Sequence, residues 1–179
     1  MTKTVESADS EFNLETERLT LERFTLEHAP FLKELMNSPG WLQYIGDRGV
    51  YTVDAAERYI RERFMVAYVQ YGYGFRAVRL KEGGQLIGGC GLIRRDGLPH
   101  PDIGFALLPE FAGRGYGYEM AMATLDNARE AFGLPRILGI TLPANTRSIR
   151  LLERIGLQYE KMIQLPGDEE ELMLFGMNL

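Results

Sequence analysis

The chain contains few of the residues that build disulfides and metal centres. Cys90 is the only cysteine among 179 residues, which excludes an intramolecular disulfide and a cysteine-based zinc cluster, and we expect a reducing, cytoplasmic location. The two histidines, His28 and His100, lack the spacing of a metal-ligand pair. We interpret both as surface or packing residues, and we predict no metal site.

Long apolar runs and a basic excess are also absent. No stretch approaches the roughly 20 apolar residues that span a bilayer. Residues 1–13 are polar and lack a signal-peptide core, so we interpret them as a flexible tail before a single domain at 14–179. Twenty Lys and Arg against 25 Asp and Glu give a net charge of -5. This balance disfavours nucleic acid or an anionic membrane as a partner.

The hydrophobic period alternates along the chain between two and about 3.6, which is typical of mixed α and β structure. Period-two segments predict strands at 18–24, 74–80, 86–95, 102–108, 136–142, 157–165 and 171–177. Helical segments are predicted at 25–37, 52–70, 121–132 and 145–155, with Thr25, Thr52 and Asn145 as N-caps. The segment "NSPG" ends the first helix and leads into a predicted loop that carries Trp41 and Tyr44. The order predicts a mixed α/β (α+β) layer around one sheet.

The most unusual stretch is "PEFAGRGYGYE", in which Gly113, Gly115 and Gly117 alternate with other residues at a strand-to-helix junction. A helix start has four N–H groups without intrahelical partners and about half a positive charge. Glycines let an anion approach them closely, and Arg114 adds a formal charge. The pattern indicates a phosphate or pyrophosphate site, or alternatively only a tight turn. It fits neither the P-loop nor the G-x-G-x-x-G dinucleotide pattern.

The surrounding residues narrow this interpretation. "DIGFALLPEFAGRGYGYEMA", followed downstream by "NTRSIRLLERIGL", resembles the coenzyme A signature of the GNAT superfamily of N-acetyltransferases. Ala112 stands where the family loop has Gln or Arg. "ETERLTLERF" and the later motif look most like the branch containing the ribosomal-protein N-terminal (alanine/serine) acetyltransferases. The resemblance implies a mixed, mostly antiparallel central sheet of about seven strands flanked by about four helices, with one strand splayed from the next.

The resemblance implies acetyl transfer from acetyl-CoA, as co-substrate, to a primary amine of a small molecule or a protein N-terminus. Oligomeric state is left open between monomer and homodimer, and a non-catalytic acyl-CoA-binding module is the alternative. In this family the Leu107 N–H would polarise the thioester carbonyl. The residues implied to bind coenzyme A are Phe105, Leu107, Leu108, Gly113, Arg114, Gly115, Tyr116, Gly117, Tyr118, Asn145 and Ser148.

The attacking amine has to lose a proton, so a base or a water chain is required. By resemblance Asp102 is the candidate base, and the alternative is a solvent-facing aspartate at a strand start. The tyrosine acid common in the family is replaced by Leu152. Ser148 and Tyr159 are therefore the candidate acids for the thiolate, with a helix cap or helix surface as the alternative for Ser148.

The acceptor is expected between the first two helices and the far end of the sheet. Three aromatic residues are candidates for its walls, and packing is the alternative role for each. They are Trp41, Tyr44 and Tyr51.

Overall fold

One eight-stranded sheet organises the chain in the computed structural model, which describes residues 12–179. Residues 1–11 of the predicted tail lie outside the described part. The strands are β1 (Leu14–Glu15), β2 (Leu19–Arg23), β3 (Phe75–Leu80), β4 (Leu86–Ile93), β5 (Asp102–Leu107), β6 (Arg136–Thr141), β7 (Gln158–Gln164) and β8 (Glu171–Asn178). They are arranged in the order β1-β2-β3-β4-β5-β6-β8-β7. All neighbours are antiparallel except β5 and β6, which are parallel.

Five helices accompany the sheet within residues 12–179. They are α1 (Ala29–Met36), α2 (Pro39–Tyr44), α3 (α-helical Val53–Tyr59, π-helical Ile60–Met65 and α-helical Val66–Tyr71), α4 (Tyr116–Glu130) and α5 (Thr146–Arg154). No helix in residues 12–179 is both long and apolar enough to cross a bilayer. The predicted mixed fold is confirmed, with β1 as an additional two-residue strand and α2 as an additional helix.

The predicted loop after α1 is wrong, because its first half is helix α2. Ser38 is extended (φ -68, ψ 150) and Pro39 takes the first helical position. Proline suits that position, since its fixed φ is helical and its missing N–H would have had no partner there. Trp41 and Tyr44 therefore lie on a helix. The Ser-Pro pair begins this helix rather than only ending the previous one.

The predicted N-caps at Thr52 and Asn145 are confirmed. Thr52 Oγ1 accepts the N–H of Ala55 at 3.1 Å, and Asn145 Oδ1 accepts the N–H of Ser148 at 3.2 Å. Each such cap contributes about 1 kcal/mol. His28 is buried, and its Nδ1 accepts the Thr25 N–H at 2.9 Å. The histidine thus has the packing role that the sequence favoured.

Different helices cover the two faces of the sheet. On one face, Phe64 of α3 packs on Phe75 of β3, with ring centroids 5.3 Å apart. On the other face, Thr124 of α4 lies 3.3 Å from the sulfur of Cys90 on β4. Complete burial raises the pKa of the Cys90 thiol to about 12. The single cysteine is consequently a neutral core residue at physiological pH.

Strand β4 depends on glycine for its close fit between its neighbours. A Cβ at Gly91 would overlap the Gly74 carbonyl oxygen, and a Cβ at Gly88 would overlap the Ala106 carbonyl oxygen. Both obstacles are backbone atoms, which cannot swing aside as a side chain can. The glycines of β4 therefore set the spacing of the strands beside β5.

We predict that Gly91→Ala lowers the free energy of unfolding by about 1–3 kcal/mol or more, because backbone must shift to accommodate the methyl group. Gly40→Ala is the matched control, since a Cβ at Gly40 in α2 has nothing within 4 Å. It should be neutral or stabilising by up to about 1 kcal/mol. Denaturant midpoints of the two variants test this, and equal midpoints would contradict the account of β4.

Candidate active site

The glycine loop joins β5 to α4 through a short, tightly defined turn. The Leu108 N–H donates to the Ile87 carbonyl at 2.8 Å, which extends the pairing of β5 with β4 by one residue. A 3₁₀ turn at Pro109–Phe111 follows. Gly113 and Gly115 then adopt positive φ values of 76° and 84°, a conformation open mainly to glycine. Helix α4 begins directly after this turn.

Six consecutive N–H groups, from Gly113 to Tyr118, have no hydrogen-bond acceptor within the described residues 12–179. The Glu119 N–H is the first of the helix to find one, the Gly115 carbonyl at 3.2 Å. Unpartnered donors at the positive end of a helix form an anion site. The turn therefore also presents a run of donors of the kind that can hold a phosphate.

The side chains around the loop leave its backbone as the main candidate for binding an anion. Arg114 is exposed, with its guanidinium carbon 5.7 Å from the Phe111 ring centroid. Tyr116 and Tyr118 are half-buried and lie under other cations: Arg18 is 4.4 Å from the Tyr116 ring, and Arg154 is 4.3 Å from the Tyr118 ring. Both tyrosine rings are thus engaged by arginine, while their N–H groups have no acceptor.

The parallel strands β5 and β6 pair at a single position. Asp102 is opposite Leu138, and the Leu138 N–H donates to the Pro101 carbonyl at 3.0 Å. Beyond this point the strands separate. Gly104 to Leu107 remain partly exposed although β5 lies in the middle of the sheet. The separation matches the splayed strand that the resemblance implies.

The direction of the β5 backbone groups follows from alternation. Because the Leu108 N–H points to β4, the N–H groups of Phe105 and Leu107 point the other way, into the opening toward β6. The opening is therefore lined along one edge by a row of backbone donors and acceptors. This row ends at the glycine loop.

Asp102 lies at the closed end of the opening. It is 1% exposed, so the solvent-facing alternative is wrong. Its Oδ1 accepts from Arg95 Nε at 2.9 Å. Burial raises the pKa of Asp102 to about 6, and the nearby Arg95 only partly offsets that effect. The carboxylate is thus charged at neutral pH but more basic than an ordinary aspartate.

The residues of α5 and β7 that the resemblance connects with the thiolate lie at different distances from the opening. Ser148 is half-buried in the first turn of α5, where Asn145 caps it. Leu152 is buried over Gly139 of β6. Tyr159 is 50% exposed and packs edge-on against Phe175. It lies on β7, which β8 separates from β6, so about 10 Å of sheet lies between them.

The three aromatic candidates for the acceptor pocket differ in exposure. Trp41 is 8% exposed within the main core, although its Nε1 has no acceptor among residues 12–179. Tyr44 is half-buried. Tyr51 is 59% exposed and its hydroxyl donates to the Asp47 carboxylate. Within residues 12–179, the side-chain hydrogen bond of Asp102 is with Arg95 and with none of these three aromatic residues.

Two arginines at the site were not found from the sequence. Arg95 holds the candidate base, and Arg18 binds Glu119 of α4 across 101 positions of sequence. Arg18 Nη1 also donates to the Arg114 carbonyl at 3.0 Å. No local pattern indicates either contact, because each depends on strand register and on the packing of α4.

A splayed parallel strand pair that leads into a loop of unpartnered N–H groups is the arrangement expected of the acetyltransferase class that the sequence resembles. The comparison with protein families agrees: the model described as "Acetyltransferase (GNAT) domain" matches residues 18–158. The chain therefore belongs to the GNAT acetyltransferase family.

Individual proteins resemble the chain over most of its length. The uncharacterized N-acetyltransferase p20 of Bacillus licheniformis is 28% identical over 154 residues, covering 84% of this chain and 85% of that protein. An acetyltransferase structure from Agrobacterium tumefaciens has a TM-score of 0.79 at 28% identity, covering 93% and 94% of the two chains. RimL, a ribosomal L7/L12 alpha-N-protein acetyltransferase solved with coenzyme A, has a TM-score of 0.80 at 15% identity, covering 93% and 98%. The last likeness concerns the fold alone.

We predict that Gly115→Val weakens coenzyme A binding on the order of a hundredfold, because valine is strained at a φ of 84°. A Cβ at Gly115 would also approach Arg18 Nη2 to 3.2 Å. Arg114→Ala should weaken binding only about fivefold, since one exposed charge contributes up to about 1 kcal/mol. Isothermal titration calorimetry with coenzyme A measures both.

Gly83→Val is the matched control for backbone strain. Gly83 has a φ of 80° and an unobstructed Cβ position, but it lies in the turn between β3 and β4. Its variant should lose stability while keeping its affinity for coenzyme A. Equal and small losses of affinity in the Gly115 and Arg114 variants would show that the loop does not bind through its backbone.

Proposed function

We propose that this protein transfers the acetyl group of acetyl-CoA to a primary amine. The observation that carries the proposal is the row of unpartnered backbone groups that runs from the β5–β6 opening into the glycine loop. The six N–H groups of Gly113 to Tyr118 suit a pyrophosphate, and the backbone edge of Phe105 and Leu107 suits the amides of a pantetheine arm. The residues present thus fit coenzyme A.

The spacing along β5 favours Phe105 rather than Leu107 as the donor to the thioester carbonyl. At about 3.3 Å per residue, Leu107 lies about 17 Å along the strand from Asp102, whereas Phe105 lies about 10 Å away. A base 17 Å from the reacting carbon requires a long water chain. We therefore assign the carbonyl to the Phe105 N–H and a pantetheine amide to Leu107.

Asp102 is the proposed base. The amine attacks as the neutral form, although an α-amino group has a pKa of about 7.7–8.0 and a lysine about 10.4. Asp102 accepts the proton through water, because it lies about three residues along β5 from the acetyl position. Its raised pKa, about 6, makes it a better proton acceptor than an ordinary aspartate. Arg95 holds the carboxylate in place.

The bond changes are those of acyl transfer. The amine nitrogen bonds to the acetyl carbon, the carbon–sulfur bond breaks, and the sulfur leaves with the bonding electron pair. Ser148, in the first turn of α5, is the proposed hydrogen-bond donor to the thiolate. Because a serine hydroxyl is a weaker acid than a thiol, it relays a proton from water and regains the proton that it gives up. Tyr159 is the weaker candidate because two strand spacings separate β7 from β6.

The proposed acceptor is a small amine or a protein N-terminus that enters from the side of α1 to α3. Side chains alternate along β5, so Asp102 shares a face with Gly104, whose missing Cβ points toward Phe75 and hence toward α3. Tyr44 and Tyr51 are the proposed walls, while burial gives Trp41 a packing role. The likeness to RimL, an N-terminal acetyltransferase, supports a protein N-terminus as the acceptor through the shared fold alone.

We predict that Asp102→Asn lowers kcat by about 10² to 10⁴ while leaving acetyl-CoA affinity within about twofold. Thiol release from acetyl-CoA against a panel of amines and N-terminal peptides measures turnover. Asp96→Asn, an exposed carboxylate on the same loop as Arg95, is the control and should behave as wild type. Normal turnover of the Asp102 variant would exclude this residue as the base.

The pH profile gives an independent test of the same residue. Turnover at low amine concentration should already fall about tenfold per pH unit below the pKa of the amine. The base must also be unprotonated, so this fall should steepen toward a hundredfold per pH unit below about pH 6, in line with the raised pKa of Asp102. With an ordinary aspartate the steeper fall would begin near pH 4. A wild-type protein that binds acetyl-CoA but acetylates no amine in the panel would instead support a non-catalytic acyl-CoA-binding module.

A further inference from the structure

A cluster outside the opening connects the glycine loop to the other edge of the sheet. The Glu119 carboxylate, in the first turn of α4, accepts from four donors of the turn between β1 and β2. These are Thr16 Oγ1 at 2.7 Å, Arg18 N at 2.8 Å, Arg18 Nε at 2.7 Å and Arg18 Nη2 at 2.7 Å. We name Thr16, Arg18 and Glu119 the Arg18 latch.

The latch is charged at neutral pH. Burial raises the pKa of Glu119, but the hydrogen bonds from Thr16 and Arg18 outweigh it and leave the pKa below its ordinary value. A guanidinium that donates to a carboxylate from two of its nitrogens is held in one orientation. The contacts of Arg18 Nε and Nη2 with Glu119 therefore fix the direction in which the third nitrogen, Nη1, points.

That third nitrogen fixes a peptide group in the glycine loop. Arg18 Nη1 donates to the Arg114 carbonyl at 3.0 Å. In a trans peptide the following N–H points opposite to the carbonyl, so the Gly115 N–H is turned away from Arg18. Gly113 and Gly115 tolerate many backbone conformations, and without the hydrogen bond this peptide has little to keep it from rotating.

Arg18 also covers one side of the loop. Its Nη2 lies 3.2 Å from the position that a Gly115 Cβ would take, and its guanidinium lies over the Tyr116 ring. The latch thus occupies the side of the peptide that bears the carbonyl and leaves the N–H side accessible.

We propose that Arg18 is a positioning residue for coenzyme A, which holds the Arg114–Gly115 peptide so that the Gly115 N–H faces the pyrophosphate. The inference rests on the proposed function for the identity of the ligand. It assigns Arg18 an effect on binding through the loop and not through direct contact with the phosphates.

Two variants separate geometry from charge. Arg18→Met removes the guanidinium from the latch, while the bonds to Glu119 from Thr16 Oγ1 and from the backbone N–H of residue 18 remain. It should raise the Kd for coenzyme A about tenfold or more, the effect of losing the Gly115 N–H as a well-oriented donor to the pyrophosphate. Arg18→Lys keeps the charge, but one ammonium cannot hold Glu119 and the Arg114 carbonyl together. It should resemble the methionine variant. Calorimetric titration with coenzyme A measures both.

Arg79→Met is the matched control. Arg79 also pairs with a glutamate, at 2.7 Å from Glu22, and donates to a turn carbonyl, that of Gly84, at 2.6 Å. Its side chain is 37% exposed and that of Arg18 is 41% exposed. The Arg79 variant should match the Arg18 variants in lost thermal stability and keep wild-type affinity for coenzyme A.

S-acetylpantetheine, which lacks the pyrophosphate, distinguishes positioning from general damage. Ligand-observed NMR should give the same affinity for it, within about twofold, in wild type and both Arg18 variants. Wild-type affinity for coenzyme A in Arg18→Lys would overturn the positioning role, as would equal losses for both ligands. A wild-type protein that does not bind coenzyme A would instead overturn the proposed function.

Discussion

The site depends on how short the pairing of β5 with β6 is. The two strands pair at one position, Asp102 opposite Leu138, where the Leu138 N–H donates to the Pro101 carbonyl at 3.0 Å. Were the pairing to continue, the N–H groups of Phe105 and Leu107 would be consumed by β6 and the sheet would have no opening. Because it stops, a central strand keeps an unpaired edge. An unpaired backbone edge in the interior of a sheet is costly unless a partner satisfies it, and this cost supports the proposal that the opening binds a ligand.

The elements around the opening hold it in shape from several sides. Strand β4 pairs with β5 along its whole length, and its glycines keep that contact close. On β6, Leu152 of α5 packs over Gly139, and α5 meets α4 where Leu151 approaches Gly117. The glycine loop is attached to the far edge of the sheet through Arg18 and Glu119. Direct contacts therefore link the separated strands, the two packed helices and the glycine loop.

Local patterns in the sequence were sufficient to predict most helices and strands and the position of the glycine loop. The surroundings of individual side chains could be seen only in the tertiary structure. The alternation in 102–108 and the glycines after it predicted a strand and a helix start, since both signals lie within a few residues. Asp102 was found by resemblance, but its burial and its hydrogen bond with Arg95 follow from tertiary contacts. Helix α2 was missed because Ser38 and Pro39 resemble a helix end as much as a helix start. The Arg18–Glu119 contact joins residues 101 positions apart, a separation that no local pattern records.

Amide hydrogen exchange, followed by NMR with and without coenzyme A, tests the central claim most directly. The amides of Gly113 to Tyr118, Phe105 and Leu107 have no acceptor in the described protein and should exchange quickly, then slow on addition of the ligand. Leu108 and Glu119 donate to the Ile87 and Gly115 carbonyls and serve as internal controls that are protected throughout. Binding of coenzyme A with no change at the loop and β5 amides would contradict the account.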